Sequence, residues 1–255
     1  MTMAAMFAAA KARNEIALIP YVTAGYPSIP ESLDFIDQAA LAGADAVEIG
    51  LPFSDPVADG PTIQYASHQA LESGFKTRVF LEALAMRPRP CPLILMTYLN
   101  PLLALGPKAF ATLAASGIGA VVIPDLPEEE AASMSDEAAR VGIDLVLLAA
   151  PTSSEKRLGR IGSASRGFVY VVGVVGTTGA RRAADPALPQ ILDLARHATS
   201  LPLVAGFGLS EPSHIQAITA RADGAIVGSR LVDAIRQGED FAALIRSFKQ
   251  AARRH

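Results

Sequence analysis

AGADAVEIG, residues 42–50, is a turn-prone run of small residues leading into a short apolar strand. The same pattern returns at SGIGAVVIP (116–124) and RADGAIVGS (221–229). Repetition of one strand–helix unit along a chain is what a barrel of such units requires. Working outward, eight short apolar runs follow one another: ALIPYVT (17–23), AVEIGLP (46–52), PLILMTYL (92–99), AVVIPDL (120–126), DLVLLAAP (144–151), FVYVVGV (168–174), PLVAGF (202–207) and GAIVGS (224–229). Most are unbroken in Val, Ile and Leu, as strands buried on both faces should be. Helical stretches are expected between them, among others at 32–41, 108–115, 128–140, 188–197, 212–220 and 241–253. Such alternation predicts a parallel sheet with right-handed crossovers. An open doubly wound sheet would place G-x-G-x-x-G after its first strand, where this chain has TAGYPSIP (23–30). The pattern therefore predicts an α/β fold, a (β/α)8 TIM barrel. It fills residues 1–255 as a single domain with a short extra N-terminal helix, a size that suits this barrel.

Composition narrows the function. With 51% apolar and 18% charged residues the chain has ample material for a core. A net charge of −3 with scattered Lys and Arg argues against nucleic acid and against an electrostatic membrane anchor. Cys91 is the lone cysteine, so neither an internal disulfide nor a thiolate cluster can form. In MTMAAMFAAAKARNE the charges Lys11 and Arg13 follow the apolar run, which reads as a leading helix rather than a signal peptide. No apolar run is long enough to span a bilayer, and a cytoplasmic protein is expected.

In a barrel, chemistry sits on the loops that follow the strands. VEIGLPFSDPVADGP (47–61) carries one acid, Glu48, inside an apolar strand and a second, Asp59, eleven positions on in a loop stiffened by proline. Period-two alternation groups Ala46, Glu48 and Gly50 on one face, the small-residue face expected to look into the barrel. Burial there should raise the Glu48 pKa and suit it to acid–base work. Asp59, in a wetter loop, should stay ionised beside a developing cation. Two carboxylates tuned apart can divide such roles. The spacing fits a structural reading equally: Glu48 pairing with a buried Lys or Arg, and Asp59 capping a helix that begins near Thr62. Asp55 and Ser54 in the same loop suit turn formation.

Glycine pairs recur late, in GTTG (176–179), GFG (206–208) and GS (228–229), each after a strand. Such loops let backbone N–H groups approach a phosphate, with the Ser229 hydroxyl beside them; Arg181 and Arg182 are close enough in sequence to help, and equally fit solvated loop charges. A phosphate-bearing ligand follows. NPLLALGP (100–107) holds three leucines in an expected loop, which either pack down on adjacent helices or form an apolar patch for another protein. His68, His197, His214 and His255 have no metal-ligand spacing, so no metal site is expected. No nucleophile motif is present.

These residues resemble one family, the tryptophan synthase alpha chains. The resemblance rests on IPYVTAGYP (19–27), VEIGLPFSDPVADGPTIQ (47–64), MTYLNP (96–101), IPDLP (123–127), GFVYVVGVVGTTG (167–179), VAGFG (204–208) and IVGS (226–229), in family order. It implies retro-aldol cleavage of indole-3-glycerol phosphate to indole and glyceraldehyde 3-phosphate. Glu48 would protonate indole C3 and take the proton of the hydroxyl next to the breaking bond; Asp59 would hold the indole N–H and stabilise the cationic tautomer. Phosphate contacts are implied at Gly179, Phe207, Gly208, Gly228 and Ser229. An indole pocket is implied at Tyr21, Val122, Leu148 and Phe207, with Tyr170 near the reacting atoms and Thr178 closing the loop. The family's partner is a beta subunit that carries pyridoxal phosphate and receives indole in an alpha2beta2 complex, while the alpha chain itself needs no cofactor. Asp55, Pro56, Pro101, Leu102, Leu103 and Leu105 would face that partner. Two departures stand out: Gly173-Val174-Val175 before GTTG is more apolar than is common, and Tyr21 stands where Phe is frequent. Without the resemblance, the residues also admit a sugar-phosphate isomerase or epimerase, or a non-catalytic regulatory subunit that binds a phosphate metabolite.

Overall fold

The structure, a computed structural model, describes residues 1–88, 90–173, 187–206 and 208–254. Its strands are β1 (Ala17–Thr23), β2 (Val47–Gly50), β3 (Leu93–Met96), β4 (Ile118–Val122), β5 (Asp144–Val146), β6 (Leu148–Ala149), β7 (Val169–Val172), β8 (Leu203–Gly206) and β9 (Gly224–Val227). They form one sheet in the order β5-β4-β3-β2-β1-β9-β8-β7-β6, and its neighbouring strands are all parallel. β5 and β6 are two halves of the single strand expected at 144–151, interrupted at Leu147. β5 pairs with β4 and β6 with β7, so this one stretch of chain joins both ends of the sheet and closes the barrel. Across the break the Ser165 hydroxyl accepts the Leu147 N–H at 3.2 Å, and the Leu147 carbonyl accepts from Tyr170 N–H at 3.1 Å, so no backbone group there is left unpaired. The eight expected runs thus become eight barrel positions.

The helices are α1 (Met3–Ala12), α2 (Ile29–Leu41), α3 (Pro61–Glu72), α4 (Thr77–Ala85), α5 (Leu99–Ala104), α6 (Ala109–Ala115), α7 (Ala131–Arg140), α8 (Glu155–Ala164), α9 (Ala187–Ala198), α10 (Pro212–Ile218), α11 (Ser229–Gln237) and α12 (Phe241–Ala251). α1 buries Met3, Met6, Phe7 and Ala10, one stripe at helical spacing, against the amino ends of the strands; Phe7 meets Phe168 edge-on at 5.9 Å. That end is tied by charge. The buried Asp45 carboxylate accepts from the Leu18 N–H and from Lys249 at 2.6 Å and pairs with Arg13. The opposite, carboxyl end of the barrel is left for chemistry.

One expectation is corrected. NPLLALGP is not a loop: α5 occupies its first half, because Pro101 falls in the first turn, where its missing N–H costs no helical bond. Asp125 accepts the Leu99 N–H at 2.9 Å and supplies the cap from another loop. Helical geometry then sends Leu102 and Leu105 into the core (1% and 7% exposed) and leaves Leu103 outside at 56%. Among the described residues, no helix is long and apolar enough to cross a membrane.

Candidate active site

Parallel pairing sets Glu48 of β2 opposite Tyr21 of β1 and Ile94 of β3. Glu48 is 1% exposed and its Oε1 has no hydrogen-bond partner; no described Lys or Arg pairs with it. The structural alternative of a buried ion pair is therefore not what the described residues build. Burial first, then the charge of Asp59, pushes the Glu48 carboxyl up to about 8, so at neutral pH it carries its proton.

Asp59 departs from the expected wet loop. It is 7% exposed, and burial raises its carboxyl to about 6 against the lowering effect of a hydrogen bond from the Tyr98 phenol. It remains mostly ionised at neutral pH, but as a buried anion. Nor does it cap a helix: Gly60 holds the N-cap position of α3 without a side-chain bond. The loop is pinned instead. The Tyr98 hydroxyl accepts the Ala58 N–H at 2.9 Å, its ring packs on Phe53 at 5.2 Å, and the Gln64 amide donates to the Asp59 carbonyl at 2.8 Å. Tyr98 is the functional residue that sequence reasoning passed over. Its signal was present: Ile94, Met96 and Tyr98 share the inward phase of the third strand and its extension.

Two phenols complete the floor. An added Cβ at Gly50 would lie 1.8 Å from the Tyr21 hydroxyl, and one at Gly206 would lie 2.3 Å from that of Tyr170. Each tyrosine occupies the notch left by a glycine on the neighbouring strand. Both phenols are raised well above their ordinary range, by burial first and then by the acids: Asp59 and Glu48 for Tyr21, Glu48 foremost for Tyr170.

On the far side, Gly208 has φ +83°, a conformation that favours glycine, and starts the turn into α10. The Ser210 N–H reaches buried His214 at 3.3 Å, a structural use of that histidine. Gly228 precedes α11 without a side-chain cap, so the first-turn N–H groups of Ser229 and Arg230 face outward along the helix axis. The Arg230 guanidinium is drawn away to Glu239 at 2.6 and 3.1 Å. What remains is a main-chain cradle for an anion, aided by the helix dipole.

One cavity joins these parts, lined by Tyr21, Glu48, Asp59, Tyr170 and the turn at Gly208, with Gly228 and Ser229 opposite. Ile63, Met96, Leu209 and Ile226 add an apolar wall that sequence reasoning did not name. Val122 is buried at the end of β4 and does not line it; Leu148 lines a separate cleft with Pro124, Glu128 and Arg157. Gly179, Thr178 and Phe207, together with Arg181, Arg182, Val174 and Val175, lie outside the described residues. On the rim, Asp55 is exposed, Pro56 and Pro101 are half-buried, and Val57 (76% exposed), like Leu103, is an exposed apolar side chain. Among the described residues, no group of three or more His, Cys, Asp or Glu is placed to hold a metal ion.

Residues 7–254 match the family model described as tryptophan synthase alpha chain. The tryptophan synthase alpha chain of Chloroflexus aggregans is 44% identical over 231 residues, covering 89% of this chain and 86% of that one. That of Deinococcus radiodurans is 41% identical over 256 residues, with 98% and 94% covered. Among solved structures, Mycobacterium tuberculosis tryptophan synthase superposes with a TM-score of 0.92 at 35% identity, covering 99% of this chain and 98% of that chain.

Proposed function

Because this chain belongs to the tryptophan synthase alpha chain family and cleaves indole-3-glycerol phosphate to indole and glyceraldehyde 3-phosphate, we propose that Glu48 and Asp59 carry that reaction. Glu48, protonated at neutral pH, gives its proton to indole C3. The positive charge this places on the ring nitrogen is held beside the Asp59 carboxylate. The bond from C3 to the hydroxyl-bearing carbon then breaks, its electron pair restoring the aromatic ring. The hydroxyl becomes the aldehyde carbonyl and returns its proton to the Glu48 carboxylate, which ends as it began. The turn at Gly208 and the start of α11 at Ser229 bind the phosphate through N–H groups. Tyr21 and Tyr170 flank the reacting atoms. Ile63, Met96, Leu209 and Ile226 wall the slot for the indole ring.

One observation supports this reading most. Two carboxylates share a buried cavity, and their environments leave one protonated and the other charged at neutral pH. A metabolite-binding subunit would need neither acid, and an isomerase would need no apolar slot for an indole ring. Indole release from indole-3-glycerol phosphate by the purified chain tests it: Glu48→Gln should abolish turnover and keep phosphate-ligand binding. Turnover at the unsubstituted rate would sink the assignment.

The partner in this reading is a tryptophan synthase beta subunit, met by Asp55, Pro56, Val57, Pro101 and Leu103. Exposed Val57 and Leu103 support that surface, whereas Leu102 and Leu105 back it from the core. The pyridoxal phosphate of the pair belongs to the beta subunit, since the steps above need only the proton that Glu48 moves and the charge that Asp59 holds. A cytoplasmic setting accompanies this assignment.

A further inference from the structure

Asp59 is held through its backbone as well as by its burial. Its own N–H closes a turn onto the Pro56 carbonyl at 3.0 Å, and the N–H of Ala58 before it goes to the Tyr98 hydroxyl at 2.9 Å. On its other side the chain enters α3, with Gly60 at the N-cap position. The Asp59 carbonyl lies one residue before that cap, beyond the reach of the helix's own N–H groups, which pair with carbonyls from the cap onward. Gln64 bridges the gap. Its backbone N–H takes the Gly60 carbonyl at 2.9 Å, and its side-chain amide folds back to the Asp59 carbonyl at 2.8 Å. One residue thus grips two successive carbonyls. The helix from which it does so is firmly seated: Ile63, Ala66, Ser67 and Ala70 are buried, and the Tyr65 ring meets the Arg236 guanidinium of α11 at 5.7 Å. Gln64 itself is exposed and lines an outer cleft with Phe53, Pro56 and His68, whereas its neighbour Ile63 lines the cavity with Asp59.

We infer that Gln64 is a positioning residue for Asp59: its amide fixes the carbonyl side of that residue, as the Pro56 and Tyr98 contacts fix the N–H side, and so holds the carboxylate at one place in the cavity. This rests on the assignment of the reaction to Glu48 and Asp59. The indole nitrogen gains its charge only as C3 is protonated, so the anion must already stand beside it. A carboxylate on a backbone free to shift by about an ångström would lose much of that stabilisation. The side chain at this position must donate, because a carbonyl only accepts. Glutamine donates without bringing a charge; an ionised glutamate of the same shape cannot donate. The hold is separate from the phosphate cradle at Gly208 and Ser229, which belongs to other elements.

The test is Gln64→Leu, which keeps most of the side chain's bulk and removes the donor. Indole release from indole-3-glycerol phosphate is followed well below the melting transition, kcat and KM are separated, and thermal melting is recorded alongside. Loss of one neutral hydrogen bond should lower kcat about three- to tenfold and leave KM nearly unchanged. Because Gln64 is exposed, the melting temperature should move little. Gln64→Glu should lower kcat at least as far. The Gln64→Leu change is then repeated in an Asp59→Asn chain. A side chain that acts through the Asp59 charge should cost little further there, whereas an independent effect would multiply. The role of Gln64 is overturned by an unchanged kcat, whether or not melting falls, by a change in KM alone, or by the same fold-loss in both backgrounds. If the assignment of the acids is itself at fault, Asp59→Asn keeps its full turnover.

Discussion

Replacing Glu48 with Gln should stabilise the protein in alkaline solution while destroying its chemistry. The carboxyl moves from an ordinary 4.5 to about 8 on folding, a penalty on its charged form of about 5 kcal/mol. At 1% exposure, solvent screening does not reduce that figure much. Because the folded-state pKa is the higher one, the native chain holds more protons than the unfolded chain between those values. Stability is therefore unaffected below about pH 4.5, falls as pH rises toward 8, and levels off above it, by about 1.4 kcal/mol per pH unit in between. Gln has no charge to bury, but its amide finds the same unpartnered environment as Oε1, at a pH-independent cost of about 1–3 kcal/mol. The variant should thus be the less stable protein near pH 5 and the more stable by about 2–4 kcal/mol at pH 9. Urea unfolding of both proteins across that range measures the difference directly, and titration of Asp59 largely cancels in it. A difference that stays flat with pH would refute the buried, protonated Glu48. The same variant should lose indole release by about a thousandfold or more, as one group is asked to act as both acid and base.

Asp59→Asn should lower turnover by about a hundredfold or more. It should also shift the basic limb of the pH profile downward, because the Asp59 charge that helps raise Glu48 is gone. For the unsubstituted enzyme, kcat/KM should fall below about pH 6 as Asp59 takes a proton and above about pH 8 as Glu48 loses one; a profile flat across both would contradict the pairing. Gly206→Ala drives a Cβ to within 2.6 Å of the Tyr170 hydroxyl and two of its ring carbons and should cost about 1–3 kcal/mol in thermal unfolding, together with activity. Leu103→Asp should leave the fold and the isolated turnover intact but weaken association with a beta subunit, read by ultracentrifugation or by loss of partner-dependent activation.

Several elements were legible in the chain because they depend on neighbours along it. The run 17–23 is β1 to the residue, since seven successive apolar or small residues have no other use than a strand buried on both faces. The inward phase of Glu48 followed from alternation, which the Tyr21–Gly50 contact on the same face bears out. The leucines of 100–107 were not separable in the same way. Which of three leucines is buried depends on whether the segment is helical, and that depends on a cap supplied by Asp125 from another loop. The environment of Asp59 was misjudged for a similar reason: Pro, Gly and Asp read as a wet loop, but Tyr98 folds over it from the end of the third strand. The interruption at Leu147 leaves no mark in the apolar run 144–151, because a strand bends there only to meet two neighbours at once.

Sequence by itself determined the repeated strand–helix unit, the closed parallel barrel it builds and the two acids held eleven positions apart on the second strand and its loop. Local patterning suffices for these because burial on two faces and alternation are properties of adjacent residues. Tertiary structure alone decided that both acids are buried in one cavity, and that one keeps its proton while the other keeps its charge. Those outcomes depend on desolvation and on Coulomb forces between groups from separate strands, and such quantities exist only once the barrel has closed.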